Sequence, residues 1–226
     1  MHWWLKSFVL VSFIGWVVYY RFLTSQLIRT RTKGSSHIST SLKSNTETYH
    51  FLQQSESSYF EFENTLYAHG LCGNLEVAPL SRPCTPPLHI HLRQIEYFTL
   101  LQGQLGYQLG DEISSCDVHT CPKPLIIQPG VPHTFWMDDN KEDLTVLIRV
   151  EPANRYNGLR RAFFENFGGV IRDESLSIWQ IFVLFDNAET YLTTLPLSIM
   201  KNITKIGALI GQLLGFKHEY EEYTTD

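Results

Sequence analysis

Between about Tyr49 and Pro152 the apolar residues come in short or alternating runs broken by Gly, Pro, Asp and Asn, and this pattern constrains the fold more than any other feature. The runs YFEFE, NLEVAPL, LHIHL, IEYFTLL, QLGYQL, PLIIQP, HTFWM and LTVLIRVEP follow one another at close, even spacing. About eight strands with turn signals between them predict a mainly β, antiparallel sandwich or barrel over residues 49–152. In QLGYQL, Leu105, Tyr107 and Leu109 alternate with polar or small residues, as a strand with one buried face requires. Beyond Pro152, NGLRRAFFENFGGVIRD and SIWQIFVLFDNAETYL each carry an apolar face at helical spacing, so residues 153–226 are expected to be helical.

His89 and His91 stand at i and i+2 of one apolar strand, so their imidazoles share a face and both project into the enclosure. Glu96 has the wrong parity for a straight continuation. LRQI must therefore contain a turn, with Glu96 opening the next strand and Gly103 supplying the turn after it. In IIQPGVPHTFW, His133 follows a Pro-Gly turn at the start of a further, aromatic-rich strand. Any one of these histidines alone reads as a hydrogen-bonded core or surface residue. Together, three neutral imidazoles and a carboxylate in an apolar barrel would be costly to leave unsatisfied, and a divalent cation satisfies His89, His91, Glu96 and His133 at once. Such an ion keeps coordination positions open for substrate, water or dioxygen. Iron or manganese suits this mixed nitrogen and oxygen set best, and zinc or nickel also fits. Phe98, Tyr107, Phe135 and Trp136 are expected to shape an apolar pocket around it, while Glu76, Tyr97 and Glu151 are outlying candidates for helper groups with ordinary surface or strand roles as the simpler reading.

The N-terminal run SFVLVSFIGWVVYY, Ser7 to Tyr20, carries no charge, and its apolar character continues beyond Arg21 to Ile28. That suits a membrane span of ~20 residues, with Arg21 snorkelling and Trp3, Trp4, Tyr19 and Tyr20 at the interfaces. Residues 1–31 are accordingly read as an N-terminal transmembrane helix; no small-residue cleavage triplet marks a signal peptide. Lys6 alone precedes the run, whereas Arg21, Arg29, Arg31 and Lys33 follow it, which places the barrel on the cytosolic side of a single-pass membrane protein. The sequon Asn202-Ile203-Thr204 would then stay unmodified. Residues 32–48, rich in Ser and Thr and without period, read as a flexible tether. Near the other end, Ile206, Leu209, Ile210, Leu213 and Leu214 make one amphipathic face, while Gly207, Gly211 and Gly215 recur at the spacing that lets helix backbones approach closely. Residues 205–216 are too few to span a bilayer and suit a membrane-surface helix and a core helix equally.

Hydrophobic residues at 43% exclude a disordered chain, and a charged fraction of only 18% points to contact with lipid or an apolar partner. A net charge of −5 leaves no basic face for nucleic acid. Cys72, Cys84, Cys116 and Cys121 could form two disulfides without settling the compartment. CDVHTC, with Cys116, His119 and Cys121, lacks a second ligand pair at zinc-finger spacing and reads as a plain loop.

HIHLRQIEYFTLLQG resembles the first motif of the cupin superfamily, with His89, His91, Glu96 and Gly103 at every expected spacing, and GVPH resembles the second through Gly130 and His133. Pro83 and Pro122 replace the leading glycines, Gln128 replaces a usual Pro, and Met137 stands where Asn is common. None of these departures removes a ligand. The resemblance implies a cupin-type antiparallel barrel or jelly roll. The wider arrangement, with an N-terminal anchor, one barrel, an NFGG helical region and a GFKHEYEEYT tail, resembles fungal cupin-domain oxidoreductases of polyketide gene clusters, including those for salicylaldehyde-type products. It implies a metal-dependent oxidoreductase acting on a hydrophobic polyketide intermediate, working beside short-chain dehydrogenases, and leaves a homodimer open. No Gly-rich dinucleotide fingerprint follows a strand. Two other readings compete: a metal-dependent isomerase, dehydratase or cyclase of the same pathway, and a non-catalytic binder of a lipophilic intermediate.

Overall fold

The structure, a computed structural model, describes residues 2–41, 46–52, 58–153, 158–173 and 176–225, with the backbone alone described for residues 2–11 and 13. Two antiparallel sheets enclose the core. The larger runs in the order β1 (His37–Ser39), β2 (Glu47–Phe51), β3 (Phe60–Leu66), β10 (Leu144–Glu151), β5 (Ile95–Gln102), β8 (Leu125–Ile127). The smaller runs β11 (Thr190–Leu192), β4 (His89–His91), β9 (His133–Met137), β6 (Gln104–Leu109), β7 (Glu112–Asp117). The fold is mainly β, with helices α2 (Arg161–Asp173), α3 (Ile178–Asn187) and α4 (Leu197–Leu213) after the barrel strands.

Alternation makes the barrel. Along β10, Leu144, Val146, Ile148 and Val150 point inward and their neighbours outward, and Ile148 pairs with Phe62 on one side and Phe98 on the other. Each such side chain fully buried contributes ~1.5–3 kcal/mol of transfer free energy. Gly103 joins β5 to β6 at φ +85°, and a Cβ there would meet the Asp143 carbonyl oxygen at 2.7 Å. Cys72 is paired with Cys84 and Cys116 with Cys121, so CDVHTC is a disulfide-closed turn.

Several expectations need correction. NLEVAPL is not a strand; its end forms a single 3-10 turn, Pro79–Ser81. The AETYL end of the expected second helix becomes β11, which pairs with β4. β7 escapes the alternation rule because five of its six residues are not buried and only Cys116 faces in. Residues 32–48 are not all tether: His37–Ser39 pair with β2, which itself begins at Glu47, and the Thr32 and Lys33 amides both donate to the Glu222 carbonyl oxygen, at 2.8 and 2.9 Å. Residues 42–45 lie outside the described ones.

Helix α1 (His2–Ser25) covers the expected membrane span, yet among the described residues no helix is long and apolar enough to cross a membrane. The roles expected of Trp3 and Trp4 lie outside the described side chains. The C-terminal half of α1 packs instead on the helical layer. Trp16, Val17 and Tyr20 meet Val183, Ala208, Leu214 and Phe216, and the Thr24 hydroxyl lies 3.2 Å from the Leu214 carbonyl oxygen. Within that layer α4 turns its glycine edge inward. A Cβ on Gly207 would meet the Phe182 ring at 2.2 Å, and one on Gly211 the Trp179 carbonyl oxygen at 2.7 Å. Gly207 and Gly211 thus serve close packing of α4 on α3, whereas a Cβ on Gly215 would meet the Thr24 hydroxyl of α1 at 2.6 Å.

Candidate metal centre

The sharp turn between β4 and β5 is pinned by Gln94, whose side chain accepts from the Leu159 amide at 2.6 Å and donates to the Leu159 and Pro152 carbonyls at 2.7 and 2.9 Å. That turn resets the parity, so Glu96 faces inward beside the histidines of β4. β9 pairs His133 opposite His89. All four candidate ligands therefore meet. His89 Nε2 lies 3.1 Å from His91 Nε2, Glu96 Oε2 lies 2.9 Å from His133 Nε2, and Glu96 Oε1 lies 3.7 Å from His91 Nε2. The three imidazoles offer donor atoms within 4.8 Å of one another.

The other ring nitrogens decide what these atoms are. His89 Nδ1 lies 2.7 Å from the Pro87 carbonyl oxygen and His133 Nδ1 2.9 Å from that of Val131. A carbonyl can only accept, so each Nδ1 carries the proton. His91 Nδ1 meets the Thr190 hydroxyl at 3.1 Å, and that hydroxyl also lies 3.4 Å from the Ala188 carbonyl oxygen. In neutral His89 and His133, Nε2 is therefore left with a lone pair, and both are directed at the cluster that His91 Nε2 also enters. Burial, reinforced by the neighbouring histidines, holds His91 well below the usual histidine range and His89 down at about 3. Burial also pulls on His133, but the Glu96 carboxylate beside it leaves that ring raised. Although His133 Nε2 is close to Glu96, the direction of approach makes no hydrogen bond, and the nitrogen is buried without a hydrogen-bond partner. Lone pairs crowded on a carboxylate with one orphaned nitrogen fit a divalent cation.

The centre opens into an apolar cavity of about 260 Å³. Phe98 and Phe135 line it as expected, whereas Tyr107 and Trp136 do not. Trp136 has the opposite parity on β9; its ring packs against Gly106, and its indole donates to Asp138 at 3.0 Å. Phe163, Phe164 and Phe167 of α2 form a wall that periodicity could show only as a helix face. Thr190 was equally hidden, because it sits in the stretch read as helix. Tyr97 and Glu151 bond one another on the outer face with Arg149, and Glu76 is exposed, so none of the three reaches the centre.

No family model matches the chain. The probable oxidoreductase virH of Hypocrea virens is 31% identical over 150 residues, covering 61% of this chain and 67% of that protein. The chain belongs to its family. The probable oxidoreductase patJ of Penicillium expansum is 27% identical over 198 residues, covering 79% of this chain and 60% of its own length. The chain thus spans about three-fifths to two-thirds of the length of these two relatives. Among solved structures, the Schizosaccharomyces pombe Cnp3 cupin domain aligns at 13% identity with a TM-score of 0.36, over 47% of this chain and 64% of that one.

Proposed function

We propose that this cupin is a metal-dependent oxidoreductase that acts on a hydrophobic, polyketide-type intermediate of fungal secondary metabolism. The observation that carries the reading is the cluster of three imidazole Nε2 atoms and the Glu96 carboxylate at one end of an apolar cavity. His89, His91, His133 and Glu96 would hold the ion, with iron or manganese the best match to three imidazoles and one carboxylate. When bound, it would supply an open coordination position and redox or Lewis-acid chemistry. The chain's own part is positional. Thr190 fixes the His91 ring, and Phe98, Phe135 and Phe163 exclude water and hold an apolar substrate against the ligand end. The names of virH and patJ as probable oxidoreductases support redox chemistry over other uses of a metal.

Metal analysis of the purified chain tests this reading: about one iron or manganese per chain is expected, lost in His91→Ala. A wild-type chain without stoichiometric divalent metal overturns it. Turnover that persists without dioxygen or another oxidant moves the function to isomerisation or dehydration.

The same reading places the protein on a membrane surface. The outward face of α4 exposes Ile199, Ile203, Ile206, Leu209 and Leu213, each by 37–58% of its area, and α1 exposes Ile14, Val18 and Phe22 nearby in the helical layer. Neither helix contains an acidic residue, while Arg21, Lys201 and Lys205 are exposed, a charge pattern that suits anionic headgroups. The cytosolic side rests on the basic residues after α1 alone. Two disulfide pairs weigh against it, since such bonds persist in oxidising compartments. A glycan on exposed Asn202 would put the barrel in a secretory lumen.

A further inference from the structure

The inward rows of β2 and β3 are Glu47, Tyr49, Phe51 and Phe60, Phe62, Asn64, Leu66. Glu47 and Asn64 stand out in this aromatic wall. Glu47 is 9% exposed and Asn64 2%, and the Asn64 amide donates to Glu47 Oε1 at 2.9 Å and to the Thr48 carbonyl at 3.4 Å. The Tyr49 hydroxyl is the second side-chain neighbour of the carboxyl. Among the described residues no cation pairs with Glu47. The register from Glu47 opposite Leu66 to Phe51 opposite Phe62 is already secured by the backbone ladder, so strand pairing does not require a buried acid.

Glu47, Tyr49 and Asn64 all line the cavity that holds His89, His91 and His133. The cavity therefore has polar groups away from the ligand cluster as well as at it. Burial raises the Glu47 carboxyl to about 7, opposed by its bonds from Asn64 and Tyr49, so near neutral pH much of it keeps its proton. A neutral acid offers an O–H donor to a ligand, and in an apolar wall that donor is selective, because a ligand lacking an acceptor leaves it unpaired.

We infer that Glu47, with Tyr49 and Asn64, forms a second polar subsite that binds a phenol or ketone oxygen of an otherwise apolar, ring-containing ligand. This deepens the proposed function and rests on the cavity being the substrate pocket. It narrows the substrate to a molecule with at least two oxygen functions, one for the ligand cluster and one for Glu47.

The test compares 2-naphthol with naphthalene, binding each to the full chain by fluorescence, both metal-loaded and after chelation. Wild type is expected to prefer 2-naphthol by about tenfold in either state, the worth of one hydrogen bond in a dry site. Glu47→Leu should lose the preference while keeping naphthalene affinity, and Glu47→Gln, which retains a donor, should keep most of it. A preference that survives in Glu47→Leu overturns the subsite, and so does one that vanishes on chelation, which would put the oxygen at the histidines. Should Glu47→Leu fail to fold, infrared spectroscopy of wild type decides. A carboxylic acid C=O band absent from Glu47→Gln should shift with 2-naphthol and not with naphthalene, and an unmoved band overturns the proposal. A chain that binds no metal leaves these results readable, so the two readings fail separately.

Discussion

His89 Nε2 faces His91 Nε2 at 3.1 Å while both Nδ1 atoms are engaged, one by the Pro87 carbonyl and one by the Thr190 hydroxyl. Burial, reinforced by the neighbouring histidines, keeps both rings in the neutral form that can ligate a cation, and a single ion in the cluster would be held by both.

Adding iron or manganese to chelator-treated protein should therefore raise its melting temperature, by an amount equivalent to ~4 kcal/mol at a thousandfold excess over Kd. In His91→Ala the rise should disappear. Thermal scans with and without metal check both, and an equal rise in the variant would refute the assignment of His91.

Acid should destabilise the metal-free protein. His89, held near 3 when folded against an ordinary value of 6.5, binds a proton in the unfolded chain first, so stability falls as pH drops from 6.5 towards 3; His91 acts in the same direction, and His133, raised by Glu96, acts against them. Glu47 acts oppositely. Its folded value of about 7 lies above its ordinary 4.5, so its contribution is present below 4.5 and lost as pH rises through 7. Urea unfolding of Glu47→Gln should show a gain over wild type that grows between pH 5 and pH 8.

Helix α4 should not tolerate a methyl on its inward edge. Gly211→Ala would press a Cβ against the Trp179 carbonyl and Val183, both 2.7 Å away, at a cost of ~1–3 kcal/mol, whereas Gln212→Ala on the exposed side should be nearly neutral. Denaturant midpoints for the pair separate a packing edge from a plain helix former.

Charge placed on the outer face of α4 should release the protein from lipid without unfolding it. Ile206→Glu with Leu209→Glu is expected to abolish sedimentation with anionic vesicles while circular dichroism and metal content stay unchanged, since both residues are more than half exposed. Undiminished sedimentation would remove this face from the account.

Loss of the Cys72–Cys84 pair should loosen the cavity rim, because Cys84 lines it beside Pro83 and Pro86. The Cys72→Ser, Cys84→Ser variant is expected to lose ~2–4 kcal/mol of stability and to bind apolar probes more weakly. Alkylation of untreated wild type should label no thiol.

The sequence by itself determined seven of the eleven described strands, β3 to β6 and β8 to β10, and the shared inward face of His89, His91, Glu96 and His133. Those features are local: parity along a strand fixes a face, and a turn at Gln94 resets it. Helix faces were legible too, since period shows which side is apolar. Tertiary structure alone decided what each face meets. Glu47 belongs to the cavity because Ser/Thr-rich chain pairs as β2 and sets it diagonally across from Asn64, and Thr190 reaches His91 because β11 pairs beside β4. Such partners are far apart along the chain, 17 residues for Glu47 and Asn64 and 99 for His91 and Thr190, and only folding brings them to hydrogen-bonding distance.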